Sequence, residues 1–205
     1  MKKAAAILTA CVLLCVYVLN SYAYNTLQVF YWHSNSNNVG HWASTPTISS
    51  INYSTSANFY YLAAYPHATA QWSSAGISTS PDGWSWSSNI KCRGGTITQL
   101  VNNVPNLTYD QLIGKSGLTI YASNMDAYLD YYGVQKYRYQ MTAATVLIID
   151  CGETLNEEKK TFTHELGHAL GWIGHSNVSS DIMYYATSSV TSLTTNDTEH
   201  LVQIY

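Results

Sequence analysis

The sequence is poor in charge, with Asp, Glu, Lys and Arg making up only 10% of its 205 residues. It also lacks an excess of basic side chains, because nine Lys and Arg stand against twelve Asp and Glu. Without a basic surface there is little electrostatic basis for binding nucleic acid, and we expect no such partner. Disorder is excluded as well, since 46% of the residues are hydrophobic and 18 are Tyr, enough apolar surface to build a core. A surface this poor in charge favours an exported protein.

Long apolar runs are also absent. Ala4–Leu19 is apolar throughout, but its sixteen residues fall short of the roughly 20 that span a bilayer. Two lysines precede this run, and small residues at positions 21 and 23 follow it. We therefore predict a signal peptide at residues 1–23 and a secreted protein with no stable membrane association. The alternative is membrane anchoring through an uncleaved leader or a lipid on Cys11.

Cysteine is scarce: outside the predicted leader, the sequence contains only Cys92 and Cys151. An even pair in an exported protein predicts a disulfide bond between them. The alternative is a thiol that occupies a metal site. No internal repeat or long linker divides the remaining chain, so we expect one domain over residues 24–205, acting as a monomer.

Strand and helix patterns alternate along this domain. Runs of β-branched and aromatic residues predict strands at Leu27–Trp32, Ile48–Tyr53, Gly117–Ser123 and Thr142–Asp150. Helical composition occurs at Ser56–Ser74, which contains Pro66, and at Thr96–Asn103 and Asn124–Tyr132. Such alternation predicts an α/β fold with a mixed sheet.

The chemistry-bearing pattern is His-Glu-Leu-Gly-His at residues 164–168. Asn156 and the two glutamates that follow it predict the start of a helix. Histidines four residues apart share one face of a helix and can bind one metal ion. Glu165 lies beside that face, where it can take a proton from a water that zinc has acidified. The pattern therefore indicates hydrolytic chemistry.

Two features downstream favour the same interpretation. Gly171 is expected to end the helix in a left-handed conformation, which turns the chain. His175 follows within reach of the same ion and is the predicted third ligand. The alternative ligands are Asp181, Glu199 and His200.

The stretch from His164 to Gly171, His175 and the Ile182-Met183-Tyr184 turn together resemble the metzincin zinc endopeptidases. Within that group the matrixins, or matrix metalloproteinase-like enzymes, are the nearest match, most strongly over Lys160–Tyr185. The resemblance implies a zincin fold with a twisted, mixed five-stranded sheet, an active-site helix and a Met-turn. It also implies a C-terminal helix within Leu193–Tyr205.

For single residues, the resemblance implies one catalytic Zn²⁺ with three ligands, namely His164, His168 and His175. It assigns Glu165 as general base and acid, and Met183 as a hydrophobic floor beneath the metal. The family pattern has two residues between its glycine and third histidine, whereas three stand here, and a bulge at Gly174 could absorb the extra one. Tyr185 stands where astacins and serralysins carry a tyrosine that resembles a switchable ligand or oxyanion donor. A packed aromatic is its alternative role.

The predicted function is a secreted zinc-dependent metalloendopeptidase that acts on peptide or protein substrates. Two alternatives stay open: a secreted binding protein whose zinc only stabilises the fold, and a zinc hydrolase acting on a non-peptide bond. Structural zinc sites usually close their fourth position with protein, and no fourth ligand stands out here. Nor does an Asp-rich loop, so the sequence gives no support for a structural Ca²⁺.

Overall fold

A computed structural model describes residues 39–83, 85–129, 135–186 and 188–202. The predicted leader and the strand expected at Leu27–Trp32 lie outside these ranges. Within them, no helix combines the length and apolarity needed to cross a membrane.

Within these ranges, six strands form one sheet in the order β1-β6-β4-β2-β3, and β5 pairs along the remaining edge of β6. Every pairing is parallel except that of β5 with β6. The predicted mixed α/β class is confirmed, and the described part of the chain contributes six strands to the sheet where five were expected. Strand β6 is long enough to pair with two strands along one edge. Strand β1 pairs with its residues 138–140, and β4 pairs with its residues 144–149. The strands are β1 Val39–His41, β2 Thr47–Asn52, β3 Ser80–Pro81, β4 Ile90–Gly95, β5 Gly117–Leu129 and β6 Gln135–Ile149.

Helices cover both faces of the sheet. Side chains alternate along β6, so that Val146 and Ile148 face the larger core while Leu147 and Ile149 face the smaller one. The larger core lies beneath α1 and α4, and the smaller one beneath α2 and α3. The helices are α1 Tyr61–Ser74, α2 Ile97–Asn103, α3 Tyr109–Leu112, α4 Leu155–Ala169 and α5 Thr195–Val202.

Most of the local predictions hold, but the helix expected at Asn124–Tyr132 is wrong. Strand β5 continues through this segment to Leu129 and pairs with β6, with Asp126 opposite Arg138. Pairing with a strand that follows later in the chain overrides a weak local helix pattern.

The active-site helix α4 begins two residues earlier than expected. Its N-cap is Thr154 rather than Asn156, which lies in the first turn. The Thr154 hydroxyl accepts from the Glu157 amide, and the Glu157 carboxylate accepts from the Thr154 amide at 2.8 Å. This reciprocal capping box satisfies two amides that the helix leaves free, and caps of this kind stabilise by about 1 kcal/mol.

The predicted Cys92–Cys151 disulfide is not formed, and both thiols are free. Cys92 lies in β4 and is in register with Val146 of β6, five residues before Cys151. The three strand residues from Val146 to Ile149, where β6 ends, already cover roughly 10 Å, more than the about 7 Å that a disulfide can bridge, and Cys151 lies two residues beyond the end of the strand. Parallel pairing of the two strands therefore keeps the cysteines apart.

We expect the two thiols to react very differently with iodoacetamide. Cys151 is exposed, whereas Cys92 is fully buried and burial raises the pKa of its thiol far above the ordinary value. The thiolate is the reactive form, so native protein should be alkylated at Cys151 and at Cys92 only after unfolding. Peptide mapping by mass spectrometry measures this, and a disulfide-linked peptide pair would contradict the structure.

Candidate metal centre and catalytic cleft

Helix α4 places His164 and His168 one turn apart. In each ring, Nδ1 forms a hydrogen bond with a backbone carbonyl group. Nδ1 of His164 lies 2.8 Å from the carbonyl oxygen of Ile182, and Nδ1 of His168 lies 2.7 Å from that of Trp172. A carbonyl can only accept, so both Nδ1 atoms must carry protons. These bonds fix each ring and leave each neutral imidazole with a lone pair on Nε2, as second-sphere bonds do in metal sites.

The two Nε2 atoms face each other at 3.1 Å. Burial lowers the pKa of His168 to about 4 and that of His164 well below its ordinary value, which favours neutral rings. Two lone pairs at this distance would repel, and a cation between them removes that conflict. The donor set therefore fits a zinc ion.

His175 joins this pair from the loop after α4. The three rings offer nitrogen atoms that all lie within 4.8 Å of one another, and the His175 ring centroid lies 5.2 Å from that of His164 and 5.0 Å from that of His168. Gly171 has φ +113° and Gly174 has φ +95°. The positive φ of Gly171 turns the chain at the end of the helix, and the positive φ of Gly174 agrees with the bulge expected there.

The alternative third ligands lie in other surroundings. Asp181 is fully buried and accepts hydrogen bonds from the hydroxyls of Ser176 and Thr194. Glu199 is exposed on α5, and the His200 ring packs against Trp172 with centroids 3.7 Å apart. Of the four candidates, only His175 is grouped with His164 and His168.

Glu165 is a buried carboxylate held by the edge strand β5. The Thr119 hydroxyl lies 2.8 Å from both Oε2 and the backbone oxygen of Glu165. Gly117 permits this approach, because a Cβ there would lie 2.7 Å from Cγ of Glu165. Burial raises the pKa of Glu165 to about 7, against the opposing hydrogen bond from Thr119 and the nearby cations Lys160 and Lys115. Such a group can exchange protons near neutral pH.

Met183 is fully buried beneath α4. A Cβ at Gly167, between the two helical histidines, would lie 2.5 Å from the Met183 sulfur, so glycine allows the turn to press against the helix. Asp197 of α5 stabilises the same turn through hydrogen bonds to its backbone. Its carboxylate accepts from the Ile182 amide at 2.9 Å and from the Met183 amide at 3.2 Å.

Replacing Asp197 by Ala should destabilise the fold by about 2–4 kcal/mol, because two buried amides would lose their acceptor. Zinc affinity should fall as well, since Ile182 also accepts the bond that orients His164. Urea unfolding and zinc titration measure the two effects. Thr195→Ala changes an exposed residue of the same helix and should change both by little. Equal behaviour of the two variants would contradict the proposed support.

A cavity of about 520 Å³ opens over these residues. Its walls are the start of β5, the face of α4 that carries the two histidines, the loop that carries His175, and the segment after Met183. Tyr185 lines this cavity with 61% of its side chain exposed. Lys115 and Lys160 line it as well.

Sequence reasoning missed Thr119, Lys160 and Asp197. Lys160 could have been found, because it lies four residues before His164 and therefore on the same face of the helix. Thr119 and Asp197 reach the site from other elements, and no local pattern marks them.

The sequence profile of the matrixins matches residues 86–205, more than half of the chain. The chain belongs to the matrixin family. It is therefore a metallopeptidase, and the predicted metzincin resemblance is confirmed. Matrixins use zinc, which suits the histidine cluster. No curated protein matches the sequence. Among solved structures, that of myroilysin is 13% identical, covers 80% of this matrixin and 95% of its own chain, and has a TM-score of 0.42.

Proposed function

We propose that this matrixin is a secreted zinc endopeptidase in which Glu165 carries the proton between water and the leaving amine. The observation behind the proposal is the convergence of three imidazoles and one buried carboxylate on a single cavity. The sequence left two alternatives, a zinc-stabilised binding protein and a hydrolase of non-peptide bonds, and membership of a peptidase family argues against both. A carboxylate buried beside the histidines, where it raises the electrostatic cost of folding, argues against a purely structural site.

Zn²⁺ held by the three imidazoles would supply the Lewis acidity that polarises a scissile carbonyl and activates water. The chain's own residues supply the rest. Thr119 engages Oε2 of Glu165, which leaves Oε1 to receive the proton from the attacking water and return it to the departing nitrogen. The hydrogen bonds from Nδ1 of His164 and Nδ1 of His168 to backbone carbonyl groups keep both rings in place throughout the reaction. We include Tyr185 as a donor to the developing oxyanion, because it lines the same cavity.

The substrate would bind as an extended strand beside β5. Among the described residues β5 pairs only with β6, and Leu118 and Thr119 line the cavity. A peptide added to the free edge of β5 would gain backbone hydrogen bonds and cross the cleft beside Glu165. The proposal that the protein is exported is supported only by the predicted signal peptide. The first residue of the exported monomer should be Tyr24.

The proposal is tested by incubating the purified protein with an unbiased peptide library and identifying products by mass spectrometry. Cleavage should stop when a chelator removes zinc and return when zinc is added. A protein that contains zinc but cleaves no peptide would support the binding alternative. Turnover of esters without turnover of peptides would support the non-peptide hydrolase.

A further inference from the structure

The catalytic cavity contains two cations that the proposed mechanism does not use. Lys115 and Lys160 both line it, and Glu165 is the only acidic residue among the described lining residues. The protein has only nine basic residues in total. Two of them therefore lie near the Glu165 carboxylate, which also accepts a hydrogen bond from Thr119.

Lys160 is held rigidly at the inner wall, with only 5% of its surface exposed. Its ammonium donates to the carbonyl oxygens of Tyr184 at 2.9 Å and Ala186 at 3.2 Å. Its third neighbour is Nδ1 of His164 at 3.5 Å. That nitrogen cannot accept, because its own proton is directed to the carbonyl of Ile182.

The Lys160 ammonium thus donates hydrogen bonds only to neutral carbonyl groups. The carboxylates of Glu165, Glu153 and Asp197 attract it from a longer range, while burial lowers its pKa. A charge buried in this way is costly unless it is paired. A direct partner for the ammonium, closer than these carboxylates, would be an anion able to enter the cavity. A carboxylate suits this position, because a charge-assisted bond to an ammonium is about twice as strong as a neutral one.

We propose that Lys160 binds an acidic side chain of the substrate next to the scissile bond, with Lys115 adding to the local positive potential. The inference rests on the proposed peptidase function and specifies its substrate class. Lys160 lies one helical turn from His164, so their Cβ atoms are roughly 6 Å apart. Residues of an extended peptide are about 3.3 Å apart, which places the recognised Glu or Asp within two residues of the bond that is cut.

A purely structural role for Lys160 makes a different prediction. If the lysine only clamps the segment from Tyr184 to Ala186, removing it should weaken cleavage of every peptide by the same factor. The ratio of kcat/KM between a peptide containing Glu and its partner containing Gln would then stay constant. This ratio separates charge recognition from support of the cavity wall.

The experiment uses peptide pairs with Glu or Gln at each position within two residues of the cleaved bond. At one position the wild-type protein should prefer Glu by about tenfold or more. Lys160→Met should bring that ratio close to one. Lys159→Met removes the same charge from the neighbouring position, which does not line the cavity, and should keep the ratio. Lys115→Met should lower it only partly.

Binding to the Glu165→Gln variant provides a readout that does not depend on turnover. Fluorescence anisotropy should show the same preference for the Glu peptide, and its loss when Lys160→Met is added. Binding preference without cleavage by wild-type protein would reject the peptidase function and retain the Lys160 site. The inference is overturned if no position favours Glu, or if the preference survives in Lys160→Met or disappears equally in Lys159→Met.

Discussion

Replacing Glu165 by Gln should lower kcat for peptide hydrolysis by about 10²- to 10⁴-fold, the usual contribution of a positioned general base. Glutamine keeps the shape of the side chain, and its amide oxygen can still accept from Thr119, whose hydroxyl lies 2.8 Å from Oε2 in the native site. It cannot carry a proton. Zinc content should stay at one ion per chain, because Glu165 is not among the three grouped imidazoles.

The matched control is Glu157→Gln, which removes the same charge from the same helix. Glu157 caps α4 together with Thr154, and Gln supports the same capping box. Activity of this control should equal that of the wild type. If Glu165→Gln retains wild-type turnover with zinc bound, Glu165 does not carry the proton. If zinc is lost from Glu165→Gln, the carboxylate has a role in holding the metal that the structure does not indicate.

Replacing His175 by Ala should weaken zinc binding by at least about 100-fold, because loss of a direct ligand costs more than the 10- to 100-fold typical of second-sphere changes. Peptidase activity should fall with zinc occupancy. The two histidines left on α4 cannot complete the three-ligand set of a catalytic zinc site. Competition with a chelating dye measures the affinity.

His67→Ala serves as the control for removing an imidazole. His67 is partly buried in α1, and its Nε2 lies 2.6 Å from the Thr191 carbonyl, outside the cavity. Its zinc affinity should match that of the wild type. Unchanged affinity in His175→Ala would mean that another group, such as Asp181, completes the site.

The sequence was sufficient to place the helical part of the candidate site. Spacing within α4 is local, so the shared face of His164 and His168 follows from helix geometry alone. The φ angles of Gly171 and Gly174 agree with the conformations expected for them. The predicted N-cap, Asn156, lies two residues too late. Thr154 and Asn156 are both good capping residues, and the choice between them depends on the whole capping box.

The contributions from distant elements could not be read from local patterns. Thr119 lies 46 residues before Glu165 and meets it only because β5 borders α4. Asp197 supports the Met183 turn from the next helix. The disulfide prediction failed for the same reason, since the parallel register of β4 and β6 decides how far apart Cys92 and Cys151 lie.

The most direct test of the central claim is zinc-edge anomalous diffraction from crystals of the purified protein. We predict one zinc ion with nitrogen ligands from His164, His168 and His175 at about 2.0–2.1 Å, and Glu165 nearby but outside the coordination sphere. Absence of zinc, a third imidazole far from the ion, or a fourth protein ligand closing the site would contradict the proposed peptidase centre.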